Sequence, residues 1–275
     1  MKAVSRLLFA LLLVLPLAIQ AQDAPAPASS APTPGNSGGW SGSGEFGYAA
    51  ARGNSHTENL NAKLSLKQEN LLWKNNFYLT GLRSKGDVKV TDPNGNTVTQ
   101  FSTTANRYEA GASVGYKFSA RSYLVTAARY DHDEFGSNIW QGVVSVGYGY
   151  IALKTARTEL SFEAGPGYKR YRPADQSVTL NGITTRVPSP VKTEAVLRAL
   201  VNWKYQLSAN TRFENTLLIE AGSSNRYYQN DAGLSVSMTE KLALKLGFQM
   251  RYNSNVEPGV KKSDELFTTN LVYNF

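Results

Sequence analysis

The feature that most constrains the fold is a period-two alternation of apolar and polar residues, which recurs along the chain beyond residue 39. In the segment RYEAGASVGYKF, residues 107–118, every second residue is apolar, and those between are Arg, Glu, Gly, Ser or Lys. The segment KLALKLGFQMRY, residues 241–252, repeats the pattern. This spacing is typical of a β-strand that lies between an apolar and an aqueous phase.

The recurrence predicts an all-β fold, a transmembrane antiparallel up-and-down β-barrel of about twelve strands. The barrel has to close, because each unpaired backbone group in hydrocarbon costs several kcal/mol. The predicted strands are residues 40–53, 57–68, 71–85, 104–118, 122–131, 138–153, 157–172, 191–205, 211–222, 226–238, 241–253 and 264–275.

The connections between these strands are predicted to alternate in length. The joints SARS, KTAR, SAN and TEK are tight, whereas long segments follow Lys85, Arg172 and Asn253. Bacterial outer-membrane barrels have short periplasmic turns and longer extracellular loops. With an even number of strands, both chain termini are then expected on the periplasmic side.

The first residues predict export. Lys2 and Arg6 precede an apolar run from Leu7 to Leu17, which fits a signal peptide and is too short to span a bilayer as a helix. We expect a signal peptide over residues 1–21, cleaved after Ala21, and a barrel over residues 40–275. Between them, residues 22–39 are rich in Pro, Ala, Ser and Gly, which predicts a disordered periplasmic tether or a leader without a role.

Cysteine and charge exclude some classes of protein. The chain contains no Cys, so it has neither a disulfide framework nor a Cys-linked lipid anchor. Its net charge of +8 falls to +6 once Lys2 and Arg6 are removed with the signal peptide. This positive charge is not gathered into a stripe with interleaved aromatic residues, so nucleic acid is not an expected partner.

The carboxy-terminus resembles the assembly signal of bacterial outer-membrane proteins. It ends in ELFTTNLVYNF, where Phe267, Leu271, Tyr273 and the terminal Phe275 form one predicted lipid-facing row. The resemblance implies that the barrel-assembly machinery recognises this strand by adding it to the edge of its own sheet.

The amino-terminal part of the predicted barrel resembles a family of bacterial outer-membrane proteins of unknown function that is called salt-induced outer membrane protein. The points of resemblance are Trp40, Gly42, Gly44, Gly47, the turn Gly53-Asn54-Ser55 and the strand that leads to Trp73. The family name implies induction by salt and carries no activity. Gly53 and Asn54 suit a tight hairpin, because both adopt positive φ readily.

Charged residues on the wet face of the predicted strands are expected to line the lumen. They are Glu45, Lys63, Lys74, Arg107, Glu109, Glu163, Glu194, Arg198, Arg212, Glu214, Glu220, Lys245 and Arg251. One interpretation is that these charges pair and fill the interior, since a barrel of this size has little free bore. The other is a narrow hydrophilic channel that prefers anions.

Aromatic residues near strand ends are predicted to form the girdles at the membrane interfaces. They are Trp40, Trp73, Tyr123, Trp140, Tyr168, Trp203 and Tyr252.

The outer rim is predicted to carry basic residues that contact the phosphates of lipopolysaccharide, although exposed loops also carry such residues for solubility. They are Arg83, Lys85, Lys89, Arg172, Arg186, Lys261 and Lys262.

Three functions remain open at this point, and we expect the protein not to be an enzyme and to hold no cofactor. The first is a small porin-like or envelope-support barrel linked to salt or osmotic stress. The second is a lipid-modifying barrel, but its only bases are His56, which follows Ser55 directly, and His132, which has no Ser at strand spacing. The third is a recognition or adhesion barrel that acts through the loops after Lys85 and Arg172.

A divalent cation is a further hypothesis for the acidic cluster near residue 132. Carboxylate and imidazole groups are metal ligands, although acidic loop residues are more often only solvated. The cluster consists of Asp131, His132, Asp133 and Glu134.

Overall fold

The computed structural model describes residues 39–53, 56–91, 95–180, 183–256 and 261–275. The predicted signal peptide and residues 22–38 of the predicted tether lie outside these residues. Within them, no helix is both long enough and apolar enough to cross a membrane.

Twelve strands close into one barrel in which every neighbouring pair is antiparallel, as the alternation predicts. The fold class is therefore confirmed. Two further strands, β8 and β9, form a separate hairpin between β7 and β10. The strands are β1 (Trp40–Ala51), β2 (Thr57–Glu69), β3 (Trp73–Thr91), β4 (Thr97–Lys117), β5 (Ser122–Asp133), β6 (Asn138–Lys154), β7 (Thr158–Pro173), β8 (Gln176–Leu180), β9 (Ile183–Val187), β10 (Lys192–Gln206), β11 (Thr211–Gly222), β12 (Arg226–Ser237), β13 (Leu242–Asn253) and β14 (Ser263–Asn274).

The segment after Lys85, which was predicted to be a loop, is mostly strand. β3 continues to Thr91 and β4 begins at Thr97, and the two remain paired to their ends. Apolar and polar residues also alternate in this extension, where Lys89 separates Val88 from Val90. Both valines are paired with residues of β4. The loop prediction was wrong because the polar composition of this segment hid its period.

The segment after Arg172, also predicted to be a loop, contains the β8–β9 hairpin. The sequence carries a signal that was missed, an Asn-Gly dipeptide between the β-branched segments QSVTL and ITTRV. Such a dipeptide between two such runs favours a hairpin.

Residues face alternately inward and outward along the barrel strands. On β5, every second residue from Tyr123 to Asp131 is buried in the interior, while Leu124 and Tyr130 are 52% and 40% exposed on the outside. Other strands likewise present large apolar side chains outward. An apolar exterior around a polar interior is the arrangement of a membrane barrel, and it explains how a chain with a mean hydropathy of −0.33 can have a lipid-facing surface.

The two ends of the barrel differ. The end that we call the turn end carries both barrel termini and the connections 70–72, 118–121, 155–157, 207–210 and 238–241. The opposite end, the loop end, carries the connections 52–56, 92–96, 134–137, 174–191, 223–225 and 254–262. Turns at the turn end are fixed by hydroxyl groups: Ser119, Thr155 and Thr239 each accept a hydrogen bond from the backbone N–H three residues later.

The predicted girdle residues divide into two groups. Trp40, Trp73, Tyr168 and Trp203 are between 40% and 55% exposed on the outer surface, whereas Trp140 and Tyr252 are of intermediate exposure. The prediction was wrong for Tyr123, which is 1% exposed. Both faces of β5 are apolar near the turn end, so alternation alone did not show which one points inward.

β6 and β7 approach so closely at one point that only glycine fits. A Cβ added to Gly165 would lie 2.1 Å from the carbonyl oxygen of Val146 and 2.4 Å from the Cα of Gly147. Pro166, which follows, has no N–H to donate to the neighbouring strand. The two strands therefore meet backbone to backbone here.

Gly165→Ala is expected to lower the free energy of unfolding by about 2 kcal/mol, because the clash is with backbone atoms that cannot turn away. Equilibrium unfolding in urea of the protein refolded in lipid vesicles measures this loss. Gly81→Ala is the control, since an added Cβ there meets no atom within 4 Å. Equal stability of the two variants would show that β6 and β7 are not in close contact.

Candidate functional site

The interior of the barrel holds a cavity of about 370 Å³, whose wall extends to Glu69, Glu159 and Lys204 near the turn end. Nine of the thirteen charged residues predicted to face the lumen line it. These are Glu45, Lys63, Lys74, Arg107, Glu109, Glu163, Arg198, Lys245 and Arg251.

The other four predicted residues lie outside this cavity wall. Glu194 and Glu220 are buried. Glu194 accepts hydrogen bonds from the backbone N–H and the hydroxyl of Ser224. Arg212 and Glu214 form a partly exposed pair, 4.0 Å apart, near the turn end.

A network of charges, which we call the charged layer, crosses the bore. It is built from Arg107, Glu109, Arg129, Asp131, Glu220 and Arg251.

Arg251 is the residue that spans the bore. From β13 it donates hydrogen bonds to Glu109 on β4 (2.7 Å) and to Asp131 on β5 (3.2 Å). In the closed order of strands, β5 is six strands away from β13 in either direction, so these partners are on the opposite wall. The side chain of Arg251 and those of its two carboxylate partners therefore together span the lumen.

A second cross-bore pair lies beside it. Arg129 on β5 binds Glu220 on β11 through two hydrogen bonds, at 3.1 Å and 2.5 Å. The Arg129 guanidinium also lies 5.0 Å from the centre of the Tyr227 ring. Two-point pairing of guanidinium and carboxylate fixes both groups in place, and the side chain of Glu220 is fully buried.

Neutral side chains complete the layer. Arg107 donates to Gln249 (2.7 Å), and Gln249 donates in turn to Asp231 (2.5 Å). The Tyr78 hydroxyl donates to Glu109 (2.6 Å). Each charge thus has a partner, as buried charges require.

The charged layer divides the bore. On its loop side lies a small cavity of about 20 Å³, whose wall includes Asp131, Asp133 and Gln141. Arg251 is the one residue that belongs to the walls of both cavities among the described residues. The open part of the lumen therefore ends at Arg251.

Lysine and glutamate side chains form ion pairs near the turn end of the barrel. Lys117 and Lys154 bind Glu69 at 2.6 Å and 2.7 Å, and Glu159 accepts from Lys204 at 3.2 Å. The wall of the large cavity carries nine basic and six acidic side chains, an excess of three positive charges. Two of these basic residues, Arg129 and Arg251, pair with Glu220 and Asp131 outside that wall, so seven basic and six acidic side chains remain, a small positive excess that favours anions.

Several interior charges were not predicted from the alternation, among them Arg129, Lys169 and Asp231. Arg129 and Asp131 are two residues apart on β5 and therefore point to the same face, so extending the alternation along this strand would have placed both inside. Tyr123, predicted for a girdle, instead donates its hydroxyl to the carboxylate of Glu163 at 3.0 Å.

The residues proposed for a metal site have separate environments. Asp131 points inward to Arg251, whereas the His132 ring stacks outside on Tyr108, with ring centres 4.8 Å apart. Asp133 accepts a hydrogen bond from the backbone N–H of Phe135, and Glu134 is exposed. In the described part of the chain, no group of three or more His, Asp or Glu residues is arranged to hold a metal ion.

The residues considered for catalysis are also apart. His56 stacks on Phe101, with ring centres 4.0 Å apart, and His132 lies on the outer surface. Ser55 lies outside the described residues, and neither imidazole bonds to a serine within them.

The basic residues proposed for lipopolysaccharide lie toward the loop end. Arg83, Lys89, Lys261 and Lys262 are exposed, as an anionic lipid contact would need. Two others already have partners: Lys85 lies over the ring of Phe101, and Arg172 pairs with Asp175. The side chain of Arg186 is outside the described part. Contact with lipopolysaccharide stays a prediction.

The row predicted as an assembly signal faces outward. Phe267, Leu271, Tyr273 and Phe275 are between 46% and 75% exposed. Phe275 also helps to close the barrel, since its N–H and C=O both bond to Gly42. Recognition by the assembly machinery stays a prediction.

Comparison with known proteins places the chain in a family. Residues 44–275 match the family described as protein of unknown function, DUF481. The chain belongs to this family. One relative is the uncharacterized protein YdiY of Escherichia coli (strain K12), which is 22% identical over 180 residues, covering 65% of this chain and 66% of that protein. The predicted membership of a family of unknown function is confirmed, and neither name refers to salt.

The chain is also similar to solved structures at low sequence identity. The NanC porin is 11% identical with a TM-score of 0.45, covering 86% of this chain and 98% of its own. An outer membrane channel from Pseudomonas putida F1 is 11% identical with a TM-score of 0.45, covering 92% and 99%. The KdgM porin is 13% identical with a TM-score of 0.40, covering 86% and 99%.

Arg251→Met is expected to lower the free energy of unfolding by about 3–5 kcal/mol, because it leaves Glu109 and Asp131 buried without their cation. Urea unfolding of the vesicle-bound barrel measures this. In the control Arg212→Met, which removes an exposed ion pair, the expected loss is about 0–1 kcal/mol. Similar losses in both variants would contradict a buried charged layer.

Proposed function

We propose that the protein is a bacterial outer-membrane barrel that acts as a narrow passive pore for small anions and is closed at rest by the charged layer. The observation that carries this proposal is the contact of Arg251 with the opposite wall of the lumen. A polar cavity leads up to this contact from the turn end, and a smaller one lies behind it.

Several features support the outer-membrane location. Strand after strand exposes large apolar side chains to the outside, and Trp and Tyr lie near strand ends. The amino-terminal segment has the pattern of a signal peptide. In this location, the turn end and both termini face the periplasm, as the short turns suggest.

Anion preference follows from the charges of the cavity wall. Lys63 and Lys67 project from the same face of β2 into the cavity, where basic side chains outnumber acidic ones. Rings of basic side chains favour anions in pores. The bore is narrow, so the solutes we propose are inorganic anions and small organic acids.

A role under salt or osmotic stress belongs to the same proposal and is implied only by the resemblance of the first strands. Buried ion pairs are screened little by salt, so salt itself is not expected to open the charged layer. Deleting the gene and comparing growth at low and high osmolarity tests this role, and equal growth of mutant and parent strains would contradict it.

The pore is tested by conductance in planar bilayers. The double variant Arg251→Ser/Glu109→Gln removes one cross-bore contact without changing the net charge, and we expect larger and more frequent current steps than in the unmodified protein. The control Arg212→Ser/Glu214→Gln removes a pair of equal charge at the rim and should leave the current unchanged.

Selectivity is read from the reversal potential in a salt gradient during the same recordings. In the open double variant, anions should carry more of the current than cations. Adding Lys63→Gln and Lys67→Gln should shift the reversal potential in the direction of lower anion selectivity. A folded double variant that conducts no better than the unmodified protein would refute the pore and leave a supporting role for the barrel in the envelope.

A further inference from the structure

All but two of the nine basic side chains in the wall of the large cavity lie close to a carboxylate. The distances from their nitrogen atoms to a carboxylate oxygen are between 2.5 and 3.9 Å. The paired residues are Lys74, Arg107, Arg129, Arg198, Lys204, Lys245 and Arg251. Within the described part of the chain, Lys63 and Lys67 form no such ion pair.

Lys63 and Lys67 occupy one face of β2. They are four residues apart, so both side chains point into the lumen, and their Cα atoms are separated by about 13 Å. Ser65, which lies between them on the strand, faces the same way and also lines the cavity. The two amines therefore stand on either side of a small hydroxyl side chain.

The neighbouring strands leave both lysines without a partner. Glu45 on β1 is opposite Lys63, but its carboxylate already accepts hydrogen bonds from Lys245 at 2.8 Å and from Asn270 at 3.4 Å. The residues opposite Lys67 on β1 and β3 are a neutral serine and a neutral asparagine. An adjacent strand therefore supplies no free carboxylate to either lysine.

The surroundings of Lys67 are mainly basic. Lys67 is exposed within the cavity, whereas Lys63 is half-buried. Lys63, Lys204 and Lys245 all repel the charge of Lys67. Glu214 attracts this charge without forming an ion pair with it. Because a charge inside a narrow bore gains stability from a counter-ion, this part of the lumen favours a ligand with two negative charges.

The spacing of the two amines selects among dianions. The two side chains begin about 13 Å apart and repel each other, so they suit two separate anionic groups better than one group that would bring both amines together. Carboxylates at the two ends of a short aliphatic chain meet this requirement. The cavity of about 370 Å³ also lies within the range of small-molecule sites, about 300–1,000 Å³.

We infer that Lys63 and Lys67 form a binding site for a small aliphatic dicarboxylate, in which each ammonium group binds one carboxylate. The site lies on the turn side of the charged layer, so a ligand reaches it from the turn end. The inference deepens the proposed function and rests on its preference for anions, but binding does not require that the charged layer opens.

Calorimetric titration of the refolded protein in detergent micelles measures this binding. The probes are glutarate and its monomethyl ester, which has the same carbon chain but only one charge. We expect glutarate to bind at least about tenfold more tightly than the ester, because the ester leaves one lysine without an anion. Inorganic phosphate, which offers a single anionic group, should also bind more weakly than glutarate.

Substitutions separate the site from the general charge of the cavity. Lys63→Gln and Lys67→Gln should each weaken glutarate binding by about tenfold and remove the difference between glutarate and its ester. Lys67→Arg keeps the charge and should retain binding. The matched control is Lys204→Gln, which removes the same charge from a wall lysine that already pairs with Glu159. Its effect on glutarate binding should be less than about threefold.

Stability distinguishes binding lysines from structural ones. Without ligand, Lys63→Gln and Lys67→Gln should leave the urea midpoint of unfolding unchanged or raise it, because each removes a charge that has no carboxylate partner. Glutarate should raise the midpoint of the unmodified protein, since a ligand that binds only the folded state stabilises it. It should not raise the midpoint of either glutamine variant.

Three results would overturn the site: no binding of glutarate, equal affinity for glutarate and its ester, or equal losses from Lys67→Gln and Lys204→Gln. Tighter binding of phosphate than of glutarate would likewise contradict a site for two separate carboxylates. Failure of the pore looks different. A barrel that binds glutarate but stays electrically silent in bilayers would lose the pore and keep the site, and one that conducts anions without binding glutarate would lose only the site.

Discussion

Backbone pairing in hydrocarbon is the constraint on which the rest of this structure depends. Because unpaired N–H and C=O groups are costly there, the strands close into a ring, and the terminal Phe275 is bonded back to Gly42. Closure turns one face of every strand inward. With twelve strands the bore is narrow, so long charged side chains on that face meet across it, and each has to find a partner.

The charged layer is the outcome of that requirement. Arg251 and Arg129 connect opposite or distant strands through carboxylates that are almost fully buried. The same contacts that stabilise the barrel therefore also close its lumen. Three basic residues in the wall of the large cavity, Arg107, Arg129 and Arg251, belong to the layer itself, and the other six lie on its turn side. Among the described strands, the β1–β14 seam has the fewest paired positions, four.

The sequence predicts the inward or outward direction of a residue well, because direction depends only on local alternation. It predicts cross-bore partners poorly, because the meeting of Arg251 with Asp131 depends on the register and tilt of all the strands between them. Asp131 was therefore considered as one candidate ligand of a metal in a loop, although it is an interior ion-pair partner. Likewise, Tyr123 has apolar neighbours on both faces, and only the closed barrel shows that its hydroxyl bonds to Glu163.

The most direct test of a bore divided at Arg251 is labelling of single cysteines in intact cells with a membrane-impermeant thiol reagent. Leu200→Cys lies in the wall of the cavity on the turn side, and Asn138→Cys lies in the wall of the cavity on the loop side. With the bore closed at Arg251, we expect rapid labelling at position 138 and protection at position 200, and the protection should be lost when Arg251 is replaced by Ser. Equal labelling of both positions in the otherwise unmodified barrel would contradict it.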